Sequence, residues 1–281
     1  MARQGVAVAL AEDLGDGDLT AGLIDPGRSA RARILARESA VLCGAPWVTA
    51  ALTALDPQVQ LTWHVQEGQR CAENQTVLDI QGSARALLSA ERTALNFLQL
   101  LSGVASKTAQ YVAAVAGTRA QIVDTRKTLP GLRLAQKYAV RMGGGVNHRI
   151  GLYDAILIKE NHIAAAGGIP QVLAQAQAYA ASASFVEIEV ETLAQLQEAL
   201  LHGARMVLLD NMDLPTLRAA VALNQQLGSP RSMGAAILEI SGGVTLEGLR
   251  TLAETGVDRI SIGALTKDVK ATDFSMRFES F

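Results

Sequence analysis

From Gly117 onward the chain repeats one pattern: a short apolar run, a few polar residues, then an amphipathic stretch. The runs are Ala120–Val123, Ala155–Ile158, Phe185–Val190, Met206–Leu209, Ala236–Ile240 and Arg259–Ile262. The stretches between them include Leu193–Leu201, Leu214–Leu227 and Leu246–Thr255. Runs this short read as buried strands, and the amphipathic stretches as helices. Their alternation predicts parallel strands with right-handed crossovers. About six to eight such units predict a (β/α) barrel, complete or open.

The first third has a different rhythm. Residues 28–45 alternate small or apolar with polar and read as strand, 46–55 as a short helix, and Leu61–Val65 and Val77–Gly82 as further strands. Turn signals at Glu67-Gly68 and Asn74-Gln75 punctuate them, which predicts a small α+β layer. Between Ser83 and Ala116 the apolar positions Leu87, Leu88, Leu95, Leu98, Leu101 and Val104 recur at helical spacing, and Gly103 is placed to break the stretch into two helices. The acidic run Glu12–Thr20 reads as a solvated turn. It lacks the distal Glu that a calcium loop needs at its twelfth position. No Pro/Ser-rich linker marks the junction, so the two parts are expected to pack rather than to be tethered.

Composition narrows the class of function. Of 281 residues 49% are hydrophobic but only 4% aromatic, so Ala, Leu and Val must fill the core. A net charge of −2 carries no global positive excess for nucleic acid. Cys43 and Cys71 form neither a disulfide framework nor a zinc pattern. No stretch approaches a membrane span or a secretory leader, so a reducing cytoplasmic setting is expected.

The chemistry lies at the ends of the runs. They are followed by Asp124-Thr125-Arg126-Lys127, Lys159-Glu160-Asn161-His162, Asp210-Asn211, Ser241-Gly242-Gly243 and Gly263-Ala264, and one run carries Glu189. In a barrel, strand C-terminal ends face one mouth, where active sites lie. Thr125–Tyr153 contains no acid but holds Arg126, Lys127, Arg133, Lys137, Arg141, His148 and Arg149. Arg133, Lys137 and Arg141, four apart, suit a solvated helix face. Arg126, Lys127 and Arg149, with Lys159, suit an electropositive pocket for a ligand with several negative charges. The two Gly-containing turns suit a phosphate site. Glu189 and Asp210 suit a hard cation or ribose hydroxyls, and Glu187 and Glu191 share the face of Glu189, so the pattern leaves the choice among the three open. Three glycines, Gly143–Gly145, mark a turned loop. His162 reads as a structural hydrogen-bonder. Two other readings stand beside this one: a Schiff-base lyase using Lys159, and a non-catalytic phosphate-binding barrel.

One ordered set of motifs spans nearly the whole chain: Glu91-Arg92-Thr93-Ala94-Leu95-Asn96, Asp124–Thr128 with Pro130-Gly131, Gly143–Arg149, Leu157–His162, Glu187-Ile188-Glu189, Leu209-Asp210-Asn211 and Ser241-Gly242-Gly243. In this the chain resembles quinolinate phosphoribosyltransferase. The resemblance implies an N-terminal α/β sandwich over 1–105 and an open seven-stranded α/β barrel over 106–266, with the tail 267–281 a candidate to pack on the first. It implies transfer of phosphoribose from 5-phosphoribosyl 1-pyrophosphate (PRPP) to quinolinate with decarboxylation, giving nicotinate mononucleotide. It implies Mg²⁺ with PRPP, no organic cofactor, and a homodimer in which Arg92 reaches the partner's site. Arg126, Lys127, His148, Arg149 and Lys159 match the cluster for the substrate carboxylates and phosphates. Glu189 and Asp210 match the acids at the ribose and metal, and Ser241, Gly242, Gly243 and Gly263 the 5′-phosphate site. Lys159, Arg126, Glu189 and Asp210 are the expected catalytic set, and Thr125, Ile262 and Ala264 complete the expected substrate contacts. Arg133 and Lys137 match family positions without an assigned role.

Overall fold

The computed structural model describes residues 1–228 and 234–280. The chain divides into two compact units. The first comprises Met1–Ala109, Thr128–Gly144 and Leu265–Phe281, of which Phe281 lies outside the described residues; the second comprises Gln110–Lys127 and Gly145–Ala264.

The first unit begins with α1 (Ala2–Leu14), then β1 (Ser29–Ala36), β2 (Ala40–Val41), α2 (Ala45–Leu55), β3 (Gln60–Trp63), β4 (Arg70–Cys71), β5 (Thr76–Ser83) and the long α3 (Ala84–Ala114). Helix α1 escaped the sequence reading because only Val6 and Leu10, one turn apart, are buried, too thin a stripe to show as a period. The acidic run is half helix and half turn. Asp18 Oδ1 accepts the N–H groups of Thr20 and Ala21, both at 2.9 Å, and Oδ2 accepts the Ser89 hydroxyl at 2.7 Å. The strand expected over 28–45 is two strands, with β1 burying Ala30, Ala32, Ile34 and Ala36 while Arg31 and Arg33 face outward. The chain's last strand, β12 (Phe274–Ser280), joins it in an antiparallel sheet of order β12-β1-β5-β3.

Gly103 does not break α3, which runs unbroken for 31 residues. A Cβ there would collide with the Lys270 carbonyl oxygen. The glycine serves a close approach of the tail, not a helix end.

The second unit holds β6 (Gln121–Val123), β7 (Ile156–Ile158), β8 (Val186–Val190), β9 (Met206–Asp210), β10 (Ile237–Ser241) and β11 (Arg259–Ser261). All six are parallel, in the order β6-β11-β10-β9-β8-β7. Val146 makes a parallel bridge to Val123 on the outer side of β6. With that segment the sheet has seven strand positions, and among the described residues no pairing joins β7 to Val146, consistent with the open barrel expected. Its helices are α5 (Glu160–Ala166), α6 (Ile169–Ala180), α7 (Leu193–Leu201), α8 (Leu214–Gly228) and α9 (Leu246–Ala253), and α10 (Ala264–Lys267) follows β11. Among the described residues no helix is long and apolar enough to cross a membrane.

The sequence drew 106–266 as one span, but α4 (Arg133–Met142) belongs with the first unit. Gln136 donates to the Thr266 carbonyl at 2.8 Å, Tyr138 donates to Glu67 at 3.1 Å and packs its ring 5.4 Å from Trp47. Lys137 is buried, at 2% exposure, so the solvated face expected of this helix does not include it; Arg141 is exposed and Arg133 intermediate.

Candidate active site

The barrel's parallel register sets the site. Glu187 lies beside Leu157, Glu189 beside Leu208, Leu208 beside Glu239, and Glu239 beside Arg259. Side chains two apart on a strand, or level on parallel neighbours, share a face. Glu187, Glu189, Glu239 and Arg259 therefore point the same way, and the complete burial of Glu187 and Glu239 identifies that face as the interior. Depth now separates the three acids of β8: Glu187 lies at the floor, Glu189 is nearer the mouth with its side chain 12% exposed, and Glu191 is exposed beyond the strand. Asp210, two residues past Leu208, ends β9 on the same face and lies level with Ser241.

Lys159 follows β7 directly, and its Nζ lies 3.0 Å from Glu189 Oε2. The side chain is 45% exposed. A hydrated ammonium beside a carboxylate is suited to holding an anion; a Schiff-base lysine instead needs a dry pocket that favours the neutral amine. His162 Nδ1 accepts the Lys159 main-chain N–H at 3.0 Å, the structural role expected of it.

Arg126 and Lys127 follow β6, and the Lys127 N–H donates to Thr125 Oγ1 at 3.1 Å. Arg149 is half-buried at the open seam, where its Nη1 lies 3.4 Å from the Ala155 carbonyl. Burial, and next the like charge of Arg126, push the Arg149 guanidinium below its ordinary pKa. Two cations near enough to repel one another suit the neighbourhood of an anion.

Asp124, fully buried, accepts Asn147 Nδ2 at 2.6 Å and the His148 N–H at 2.9 Å. His148 is itself buried, with Nε2 at 2.8 Å from Glu187 Oε2 and 3.6 Å from Glu239 Oε1. Arg259 Nε lies 3.0 Å from Glu239 Oε2, an ion pair without good hydrogen-bond alignment. Burial, offset in part by Arg259, pushes the Glu187 carboxyl up to about 7; burial and then the neighbouring Glu187 push Glu239 up to about 7 as well.

The turn after β10 uses positive φ at both glycines, 100° at Gly242 and 54° at Gly243, and leads into α9 through Thr245. After β11, a Cβ on Gly263 would stand 2.9 Å from Lys127 Cδ, so the glycine lets that lysine lie across the strand end. The Ile262 N–H is committed to the Val123 carbonyl at 2.9 Å and is not offered to a ligand. Ala264 opens α10 beside it. All the residues foreseen for the pocket except Arg92 thus lie in one unit, at strand ends or in the loops that follow them. Arg92 sits on α3 in the other unit, exposed, where it lines a cavity of about 860 Å³ with residues of α1 and of the Thr128–Ala135 segment.

The family model "Quinolinate phosphoribosyl transferase, C-terminal domain" matches residues 104–277, and the corresponding N-terminal domain matches 18–102. The chain belongs to the quinolinate phosphoribosyltransferase family. It is 42% identical to the probable nicotinate-nucleotide pyrophosphorylase [carboxylating] of Bacillus subtilis, over 94% of this chain and 89% of that protein. It is also 42% identical to the nicotinate-nucleotide pyrophosphorylase [carboxylating] of Mycobacterium leprae, over 98% and 96% of the two chains. The solved nicotinate-nucleotide pyrophosphorylase of Francisella tularensis superposes with a TM-score of 0.92 at 41% identity, covering 99% of this chain and 96% of that one.

The motifs of this family included Asp124 without a role and did not disclose Glu239, Arg259 or Asp154, whose carboxylate accepts the Ile150 and Gly151 N–H groups at 2.9 and 2.8 Å. A signal existed for the first: Glu239 is a lone acid inside an otherwise apolar run, and an acid buried in a strand must find partners.

Proposed function

We propose that the chain transfers the phosphoribosyl group of PRPP to quinolinate with loss of the 2-carboxylate, yielding nicotinate mononucleotide, carbon dioxide and pyrophosphate for de novo NAD biosynthesis. The observation that carries this is the Lys159–Glu189 ion pair at the strand ends of one barrel, with Arg126, Lys127 and Asp210 at other strand ends of the same sheet, in a chain of this family. Pyrophosphate leaves the anomeric carbon as positive charge develops on the ribose. Glu189 and Asp210 face the ribose, and their carboxylates shield that charge. Arg126, Lys127 and Lys159 hold the anionic oxygens of the donor, while Arg126 and Arg149 clamp the carboxylates of quinolinate. The ring nitrogen then bonds to the anomeric carbon. The pyridinium so formed stabilises the electron pair left on C2 as the 2-carboxylate departs as carbon dioxide, and a proton from water completes the C2–H bond.

Two carboxylates are a donor set that suits a hard cation completed by waters and substrate phosphates. Glu189 and Asp210 would hold Mg²⁺, which when bound supplies positive charge to the leaving pyrophosphate. No organic cofactor is needed. The Ser241-Gly242-Gly243 turn and Gly263 receive the 5′-phosphate through main-chain N–H groups. Arg92 makes no hydrogen bond or ion pair with the described residues, which supports a homodimer in which it serves the partner's pocket. Both cysteines are buried and free, in keeping with a reducing cytoplasm.

The test is release of labelled carbon dioxide from quinolinate, with PRPP and Mg²⁺ supplied together and each withheld in turn. Release that needs both, with nicotinate mononucleotide formed, is expected. Release without PRPP, or none at all from folded protein that still binds phosphoribosyl compounds, refutes the assignment.

A further inference from the structure

Four consecutive main-chain N–H groups after the Val146 bridge are held by side chains rather than by a strand ladder. The His148 N–H donates to Asp124 Oδ1 at 2.9 Å, Arg149 N–H to His148 Nδ1 at 2.8 Å, Ile150 N–H to Asp154 Oδ2 at 2.9 Å, and Gly151 N–H to Asp154 Oδ1 at 2.8 Å. Three of these acceptors are carboxylate oxygens, which accept in any orientation. The fourth is an imidazole nitrogen, and it accepts only in one tautomer. If Nδ1 carries a proton, the Arg149 N–H loses its acceptor inside a half-buried turn.

What sets the tautomer lies on the far side of the ring. His148 Nε2 faces Glu187 Oε2 at 2.8 Å and Glu239 Oε1 at 3.6 Å, and both acids are fully buried. The Arg149 N–H already donates to Nδ1 at 2.8 Å, so the hydrogen of the neutral ring stands on Nε2 and points at Glu187 Oε2. Glu239 is tied in turn to Arg259 at 3.0 Å. The Phe185 ring meets the imidazole edge-on, with centroids 5.1 Å apart. Both ring nitrogens are thereby spent within the protein. The trio is not spaced as a metal site, because ligand atoms around zinc stand about 3.3 Å apart at ordinary bond lengths, and the His148–Glu187 pair is closer, at 2.8 Å.

We infer that Glu187 and Glu239 are positioning residues that hold His148 as its Nε2–H tautomer, so that His148 Nδ1 fixes the turn presenting Arg149 to the carboxylates of the substrate. Through Nδ1, His148 then bears on the substrate's carboxylates by way of Arg149. The inference rests on the role given to Arg149 above.

Two readouts test it, one of them independent of turnover. In protein labelled with ¹⁵N-histidine, nitrogen–proton correlation spectra contain only four rings, and loss of one set in His148→Asn assigns His148. The expected spectrum shows His148 protonated at Nε2 and bare at Nδ1, and a mixed or Nδ1-protonated ring in Glu187→Met. A wild-type ring protonated at Nδ1 overturns the inference whatever the enzyme does. In steady-state kinetics, Glu187→Met raises the KM for quinolinate by about tenfold, the cost of one misplaced charge-assisted contact, leaves the KM for PRPP within about twofold, and Glu187→Gln, which keeps an acceptor oxygen, restores most of the loss. Equal rises in both KM values in a folded variant mean a general structural role and refute the positioning claim. Wild-type protein inactive on quinolinate refutes the proposed reaction instead, and the spectra still decide the tautomer.

Discussion

Replacing Glu239 by Gln should make the protein more stable at neutral pH, and the gain should vanish in acid. Glu239 is fully buried, and burial, with Glu187 beside it, raises its carboxyl from 4.5 to about 7. Between those values the unfolded chain has released the proton and the folded chain still holds it. The folded state binds more protons there, so stability falls as pH rises through that window and is flat on either side. Each unit is worth about 1.4 kcal/mol, so the full window amounts to about 3 kcal/mol, an upper limit for two acids that influence one another. Gln stays neutral and can still bond to His148 or Arg259, so its stability does not fall with Glu239's titration. Glu187, also raised to about 7, keeps its own share in the variant. The difference in thermal midpoint between Glu239→Gln and wild type, measured at pH 5 and pH 8, should therefore grow by several degrees toward pH 8. Parallel midpoint-against-pH curves would show that Glu239 is ionised in the folded protein throughout, with Arg259 outweighing its burial, and the argument would fail.

Three other changes test separate parts of the molecule. Lys159→Ala removes the partner of Glu189 and a cation from the mouth; turnover should drop on the order of a hundredfold or more while far-ultraviolet circular dichroism is unchanged, and ordinary turnover would remove Lys159 from the machinery. Gly243→Val places a branched side chain at φ 54°, costing about 1–2 kcal/mol in backbone strain; the KM for PRPP should rise with little change in that for quinolinate, and the reverse split would move the phosphate site elsewhere. Gly103→Ala drives a methyl group into the Lys270 carbonyl; overpacking of this kind costs about 1–3 kcal/mol, seen as a thermal midpoint lower by several degrees, and an unchanged midpoint would mean that the tail yields.

The barrel was legible because buried parallel strands are written as short apolar runs, and because a polar residue just past such a run has one place to be. Met206–Leu209 and Leu193–Leu201 are found within a residue of where the pattern put them. The first unit was less legible where few residues carry the burial: α1 rests on Val6 and Leu10, and Gly103 takes its meaning from Lys270, which lies far along the chain. The placement of α4 could not be read either, since Gln136 and Tyr138 are held by long-range partners, Thr266 and Glu67, that no local period encodes.

The three acids of β8 mark the sharpest limit. Alternation fixes a face but not a depth, and Glu187, Glu189 and Glu191 have the same parity. Depth comes from the neighbouring strands, whose register puts Glu187 beside Leu157 and Glu189 one step higher, level with Lys159. One chemical group thus serves two purposes on one strand. At the mouth, beside a hydrated lysine, a carboxylate is available to a ribose or a cation. Two residues lower it is wrapped by His148 and the barrel wall, and what it can do is hold a proton in place on the ring that faces it. Arg149 and Glu187 are joined through a single imidazole, and on the proposed reading that is why a residue so deeply buried belongs to the same motif as the residues at the mouth.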